Sequence, residues 1–168
     1  MTKPKVAVVV GSSSDYPVIQ RTLKVLEDFA IPFELTVSSA HRSPERTRRY
    51  AVALEKRGIQ VVIACAGAAA HLAGVLAAHT ILPVIGVPNN STSLQGLDAL
   101  LSTAMMPPGV PVAAMGIGEP GAANAAVLAT QILARSDPAL AARLREHKAK
   151  LAKAVEESDR ELKKSRNV

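Results

Sequence analysis

Aliphatic runs alternate along this chain with segments whose apolar residues recur every three or four positions. The first run, residues 6–10, is wholly aliphatic and mostly β-branched, and it stops at Gly11 and three serines. Such a run reads as a strand buried on both faces that delivers its end to a loop. Pro17 fits an early helical position, after which Ile19, Leu23, Leu26 and Ala30 keep helical spacing until Pro32 interrupts it. A second strand is expected at 34–38. Ser43-Pro44-Glu45 then opens a helix, with a capping hydroxyl, a proline at the first helical position and an acid facing the positive end of the dipole. Thr47, Tyr50, Ala51 and Leu54 form its inward face, and Gly58 ends it.

The alternation continues with strands expected at 59–66, 83–87 and 112–116 and helices at about 70–79, 94–105 and 121–134. Pro88-Asn89-Asn90-Ser91 reads as a polar loop after the fourth strand. A charged helix from Pro138 to about Lys164 has too narrow an apolar stripe for a central position. Strands separated by helices need crossover connections, which give parallel pairing. The expected fold is therefore α/β: a three-layer α/β/α, doubly wound parallel sheet of about five strands, flavodoxin-like or Rossmann-like, with a C-terminal helical extension. At 168 residues a single domain is expected, with 1–136 as core and 137–168 as tail.

Hydrophobic residues make up 48% of the chain and aromatic ones 2%, so Val, Ile, Leu and Ala must fill the core. No apolar stretch approaches the roughly 20 residues that span a bilayer. The opening Met1-Thr2-Lys3-Pro4 has no leader pattern, and a cytoplasmic protein without membrane association is expected. Cys65 sits inside an apolar run, where a small buried hydrophobe is the expected role and a reactive thiol is not. A formal charge of +6 raises the question of nucleic acid. From Arg143 to Val168, however, nine Lys and Arg face five Asp and Glu, so a solvated tail of mixed sign carries four of those six charges. With so few rings for bases to stack on, no nucleic-acid partner is expected, and an anionic small molecule suits the chain better.

In open parallel sheets ligands bind beyond the carboxyl ends of the strands, so the loops there carry the chemistry. The first, Gly11-Ser12-Ser13-Ser14-Asp15, gathers hydroxyls and backbone N–H groups where a phosphate would be favoured, although a plain helix cap explains one of its residues. The second, Ser38-Ser39-Ala40-His41-Arg42-Ser43, sets an imidazole that can give and take a proton beside a guanidinium that can grip a phosphate. A lone histidine is more often a hydrogen-bonded structural residue; its neighbour and its place at the sheet mouth shift that balance. In the third, Ala66-Gly67-Ala68-Ala69-Ala70-His71-Leu72-Ala73-Gly74, small residues permit close backbone approach either to a ligand or to a packed neighbour, and both readings stand. His79 and His147 lack comparable context, and no spacing points to a metal site.

Taken in order, G-S-S-S-D at 11–15, S-A-H-R at 39–42 and A-G-A-A-A-H-L-A-G at 66–74 resemble the bacterial-type, class I N5-carboxyaminoimidazole ribonucleotide mutases. The likeness continues through Gly86-Val87-Pro88, Met106-Pro107 and Gly121-Ala122-Ala123-Asn124-Ala125-Ala126, covering about 6–134. It implies an enzyme of purine biosynthesis that moves a carboxyl group from the exocyclic nitrogen of an aminoimidazole ribonucleotide to ring carbon C4. Ser12, Ser14 and Arg42 would then hold the phosphate, Asp15 the ribose hydroxyls, and His41 would act as acid and base. Ala68, Ala69, Ala70, His71 and Leu72 would close around the imidazole and its carboxylate, with Ser39 and the loop 88–91 lining the same pocket. The resemblance further implies no ATP, metal or organic cofactor, a homo-octamer with sites between subunits, and functional coupling to the synthetase that makes the substrate.

A sister branch carboxylates aminoimidazole ribonucleotide with free carbon dioxide and typically carries Lys after its histidine; Arg42 and the Ala-His-Leu loop favour the mutase. Asn89-Asn90, Pro108 and Glu119-Pro120 depart from the commonest mutase pattern. A nucleotide-phosphate sensor without turnover and a basic nucleic-acid adaptor are the readings from other classes.

Overall fold

The computed structural model describes residues 3–165; the expectations for Met1-Thr2 and for Arg166 to Val168 fall outside them. Five strands, β1 (Val6–Val10), β2 (Phe33–Val37), β3 (Val61–Gly67), β4 (Val84–Asn89) and β5 (Ala113–Ala114), form one sheet in the order β2-β1-β3-β4-β5. Every pairing is parallel, with Val8 beside Leu35 on one side and Ile63 on the other. The helices are α1 (Tyr16–Asp28), α2 (Pro44–Ala53), α3 (Leu72–Ala77), α4 (Leu97–Ala104), α5 (Gly118–Leu133) and α6 (Pro138–Ser165).

Side chains on a strand alternate between faces, and here both faces are apolar. Val6, Val8 and Val10 share a core with Ile19 and Leu26 of α1, the alanines of α5, and Leu140 and Leu144 of α6. Ala7 and Val9 point the other way, onto Ala51 of α2 and Leu72, Ala73 and Leu76 of α3. A two-sided core explains why β1 and β3 read as continuous aliphatic runs. Alanine does the close work: Ala122, Ala125, Ala126 and Ala129 present one small face of α5 to the sheet, and all are fully buried.

Several boundaries differ from expectation for local reasons. The chain around 94 does not begin a helix, because Gln95 and Gly96 adopt left-handed backbone, with φ of 50° and 88°, so α4 starts at Leu97. The third helix starts at Leu72 rather than about 70, since Ala68 is left-handed at φ 53° and Ala70 and His71 donate backbone hydrogen bonds to Ala68 and Ala69. β5 shrinks to a two-residue pairing of Ala113 and Ala114 with Ile85 and Gly86. Pro88 and Asn89, expected in a loop, instead complete β4 opposite Ala66 and Gly67. The Ser43 hydroxyl does not cap α2; it donates to the Ser39 carbonyl at 3.1 Å and tightens the loop before the helix.

Beyond His147, whose ring meets Phe29 edge-on at 5.4 Å, every described residue of α6 is exposed. Ion pairs four residues apart, such as Lys150 with Glu146 and Lys163 with Asp159, run along it, each weakly stabilising as surface pairs are. No helix among the described residues is long and apolar enough to cross a membrane.

Candidate active site

Where the chain leaves β1 it crosses to β2 on one side and later returns to β3 on the other, so the loops after β1 and β3 diverge and leave a crevice. A cavity of about 290 Å³ opens there, lined by Gly11, Ser12, Ser14 and Asp15 after β1, and by Ser39, Ala40, His41 and Arg42 after β2. Ala66, Gly67, Ala69 and Leu72 after β3 and Ser91 after β4 complete it. Close packing sets its floor: a Cβ on Gly67 would lie 1.9 Å from the Ser91 Oγ, so glycine there lets the third and fourth loops touch.

The serine loop is a hydrogen-bonded turn. Ser12 N–H donates to Asp15 Oδ2 at 2.9 Å, Ser14 N–H reaches Ser12 Oγ at 3.3 Å, and the Ser14 hydroxyl donates to the same oxygen at 2.9 Å. Asp15 is 4% exposed, and its second oxygen, Oδ1, accepts from Asn89 Nδ2 at 2.9 Å. Arg42 is the one guanidinium on the lining; it lies along the opposite wall, with Nη2 3.3 Å from the Gly11 carbonyl and Nε 3.4 Å from Ser39 Oγ. These long contacts leave most of its donors free for an anion. The hydroxyls of Ser12, Ser14, Ser39 and Ser91 surround the same space.

His41 extends from the second loop to the third, where its Nε2 lies 2.8 Å from His71 Nδ1, the rings nearly perpendicular at 88°. One of these two nitrogens carries the hydrogen and the other accepts it. His71 thereby fixes the direction of the His41 ring without lining the cavity. Behind the lining, burial pushes the Cys65 thiol up to about 12, and the nearby Asp15 carboxylate adds to the rise, so the sulfur stays protonated and takes no part as a nucleophile.

Of the residues singled out in the sequence, Ser12, Ser14, Asp15, Ser39, His41, Arg42, Ala69 and Leu72 meet at this one crevice. Ala68, Ala70 and His71 do not line it: Ala68 supplies the left-handed turn, Ala70 is buried behind, and His71 touches His41. From the 88–91 segment only Ser91 reaches the lining. Sequence reading missed the Asn89 to Asp15 contact, which depends on the register that sets Asn89 beside Gly67. The polar residue directly after Pro88, part of the Asn89-Asn90 pair that departs from the commonest mutase pattern, was its only signal. Among the described residues, no three His, Cys, Asp or Glu side chains converge as a metal site would require.

Residues 5–154 match the AIR carboxylase family. The N5-carboxyaminoimidazole ribonucleotide mutase of Pyrococcus abyssi is 54% identical over 145 residues, which cover 86% of this chain and 82% of the relative. That of Bacillus subtilis is 46% identical over 160 residues, covering 95% and 99%. Among solved structures, that of Treponema denticola PurE superimposes with a TM-score of 0.84 at 28% identity, covering 95% of this chain and 99% of the other. The extent of the family match and the identity shared with these relatives lead to one conclusion: the chain belongs to the AIR carboxylase family.

Proposed function

We propose that this chain is an N5-carboxyaminoimidazole ribonucleotide mutase of purine biosynthesis that works through His41. The observation that carries the reading is the convergence of the His41 imidazole, the Arg42 guanidinium and the Asp15 carboxylate on one crevice, in a chain 54% identical to a mutase. Arg42 with the hydroxyls of Ser12 and Ser14 receives the phosphate, and Asp15 accepts hydrogen bonds from the ribose. That leaves the base to lie toward Ala69, Leu72 and His41, beside small apolar walls.

The chemistry balances on one proton. Cleavage of the bond between the exocyclic nitrogen and its carboxyl carbon releases carbon dioxide and leaves nitrogen needing a proton, which His41 gives. Ring carbon C4 then attacks the carbon dioxide, forming the new carbon–carbon bond, and its hydrogen leaves as a proton to His41. The imidazole ends as it began, and no redox partner or nucleoside triphosphate enters the balance. Carbon dioxide must not escape between the two steps, a demand that small walls set close about the base help to meet.

The remaining properties in this reading are a single domain, a cytoplasmic location, a homo-octamer and functional coupling to the synthetase that supplies the substrate. Support for subunit packing comes from exposed apolar side chains on and beside α4, where Leu97, Leu101 and Met105 are 53%, 51% and 78% exposed.

Carbon-13 NMR with carboxyl-labelled N5-carboxyaminoimidazole ribonucleotide tests the proposal, without ATP or metal and with unlabelled bicarbonate present. Label appearing at the C4 carboxylate undiluted is the expected result; no catalysed transfer refutes it, and transfer only from free carbon dioxide indicates the direct carboxylase. Arg42→Ala should weaken substrate binding by about 1.5 to 3 kcal/mol through lost charge-assisted hydrogen bonds. A Michaelis constant unchanged by that substitution would remove Arg42 from the phosphate site.

A further inference from the structure

Asp15 faces the crevice with a carboxylate whose two oxygens are each held by the protein. Oδ2 accepts from the Ser12 N–H within its own loop, and Oδ1 accepts from the Asn89 side chain, 74 positions away in sequence, both at 2.9 Å. An ionised carboxylate only accepts hydrogen bonds, so the Asn89 amide must present its Nδ2. Asn89 itself is 5% exposed and does not line the cavity, while Asp15 does. Strand β4 ends on Asn89, whose neighbour across the ladder is Gly67 of the third loop. The amide therefore ties the serine loop after β1 to the end of β4 across the intervening β3, at the one buried side-chain hydrogen bond that joins them.

We infer that Asn89 is a positioning residue that fixes the plane of the Asp15 carboxylate and so sets the affinity of the site for the ribose hydroxyls of its nucleotide. The inference rests on the assignment of Asp15 to the ribose proposed above. With both oxygens anchored by donors, the carboxylate cannot rotate, and its remaining lone pairs face the crevice in one orientation. Loss of the Asn89 donor leaves Oδ1 buried and unpaired, and the carboxylate turns to find another partner. Because Asn89 acts on binding and not on proton transfer, its loss should appear in the Michaelis constant and not in the turnover number.

The test compares wild type with Asn89→Leu and the isosteric Asn89→Asp, after thermal melts identify the variants that fold. Asn89→Leu should raise the Michaelis constant for N5-carboxyaminoimidazole ribonucleotide by about tenfold while turnover stays within about threefold. Calorimetric affinity for aminoimidazole ribonucleotide should fall likewise, whereas affinity for its 2′,3′-dideoxy analogue, which lacks the ribose hydroxyls, should stay within about twofold of wild type. A merely structural role would weaken both ligands equally, and that result overturns the inference.

In the isosteric Asn89→Asp a second carboxyl group takes the place of the amide donor, so the Michaelis constant should rise at least as far as in Asn89→Leu, again with turnover within about threefold. Constants equal to wild type for both variants overturn the inference and leave the mutase reading intact. A wild-type protein that neither binds the nucleotide nor transfers the label overturns the functional reading and this inference with it.

Discussion

His41→Asn is expected to abolish most turnover while leaving nucleotide affinity within about tenfold of wild type. Asparagine preserves polarity and much of the shape of the imidazole but cannot exchange a proton near neutral pH. The proposed reaction asks His41 for two transfers, one to nitrogen and one from carbon, so the loss should reach at least about a thousandfold, in the upper part of what general acid–base catalysis contributes. Affinity should survive because the phosphate and ribose contacts proposed above fall to Ser12, Ser14, Arg42 and Asp15, on other parts of the lining. Label transfer from nitrogen to carbon measures the first quantity, and calorimetry with aminoimidazole ribonucleotide the second. Wild-type rates in this variant would end the assignment of His41.

The largest effect on stability is expected from Gly121→Ala. A Cβ at this position would sit 1.6 Å from the Gly116 carbonyl oxygen and 2.6 Å from its carbonyl carbon. Those atoms are backbone, so no rotamer change relieves the overlap, and the first turn of α5 must move away from the loop that precedes it. The cost should be about 3 kcal/mol, at the upper end for overpacking, which lowers Tm by roughly 6 to 12 °C for a chain of this size. Gly116 provides the control. A Cβ there meets nothing within 4 Å, so Gly116→Ala should change stability by less than about 0.5 kcal/mol. The two glycines share one contact, yet only one has its Cβ direction pointing into it. Equal melting temperatures for the two variants would refute this account.

The fold was legible because its signals are redundant. Each central strand is an aliphatic run buried on two faces, and helices with a clear inward face, such as Ile19, Leu23 and Leu26 of α1, separate them. Parallel pairing follows from that alternation, but strand order does not, since no residue in β1 marks whether β2 or β3 lies to its left. Boundaries failed where backbone conformation overrode side-chain pattern: apolar spacing runs through 94–97, yet Gln95 and Gly96 are left-handed. The crevice was legible to the extent that its chemistry lies in short runs directly after strands, as with Ser12 to Asp15 and Ser39 to Arg42. The contacts between loops were not. The meeting of His41 with His71 spans 30 residues and that of Asp15 with Asn89 spans 74, and both depend on the lateral order of the strands.

The silence of Cys65 has a practical consequence. Burial raises this thiol to about 12, so it is protonated at pH 8 and enclosed by the core. Because it is the sole cysteine in the chain, thiol-directed fluorophores and spin labels will ignore the native protein. A cysteine introduced at an exposed position such as Leu151 on α6 can then carry a single reporter with little background, without first removing a natural residue.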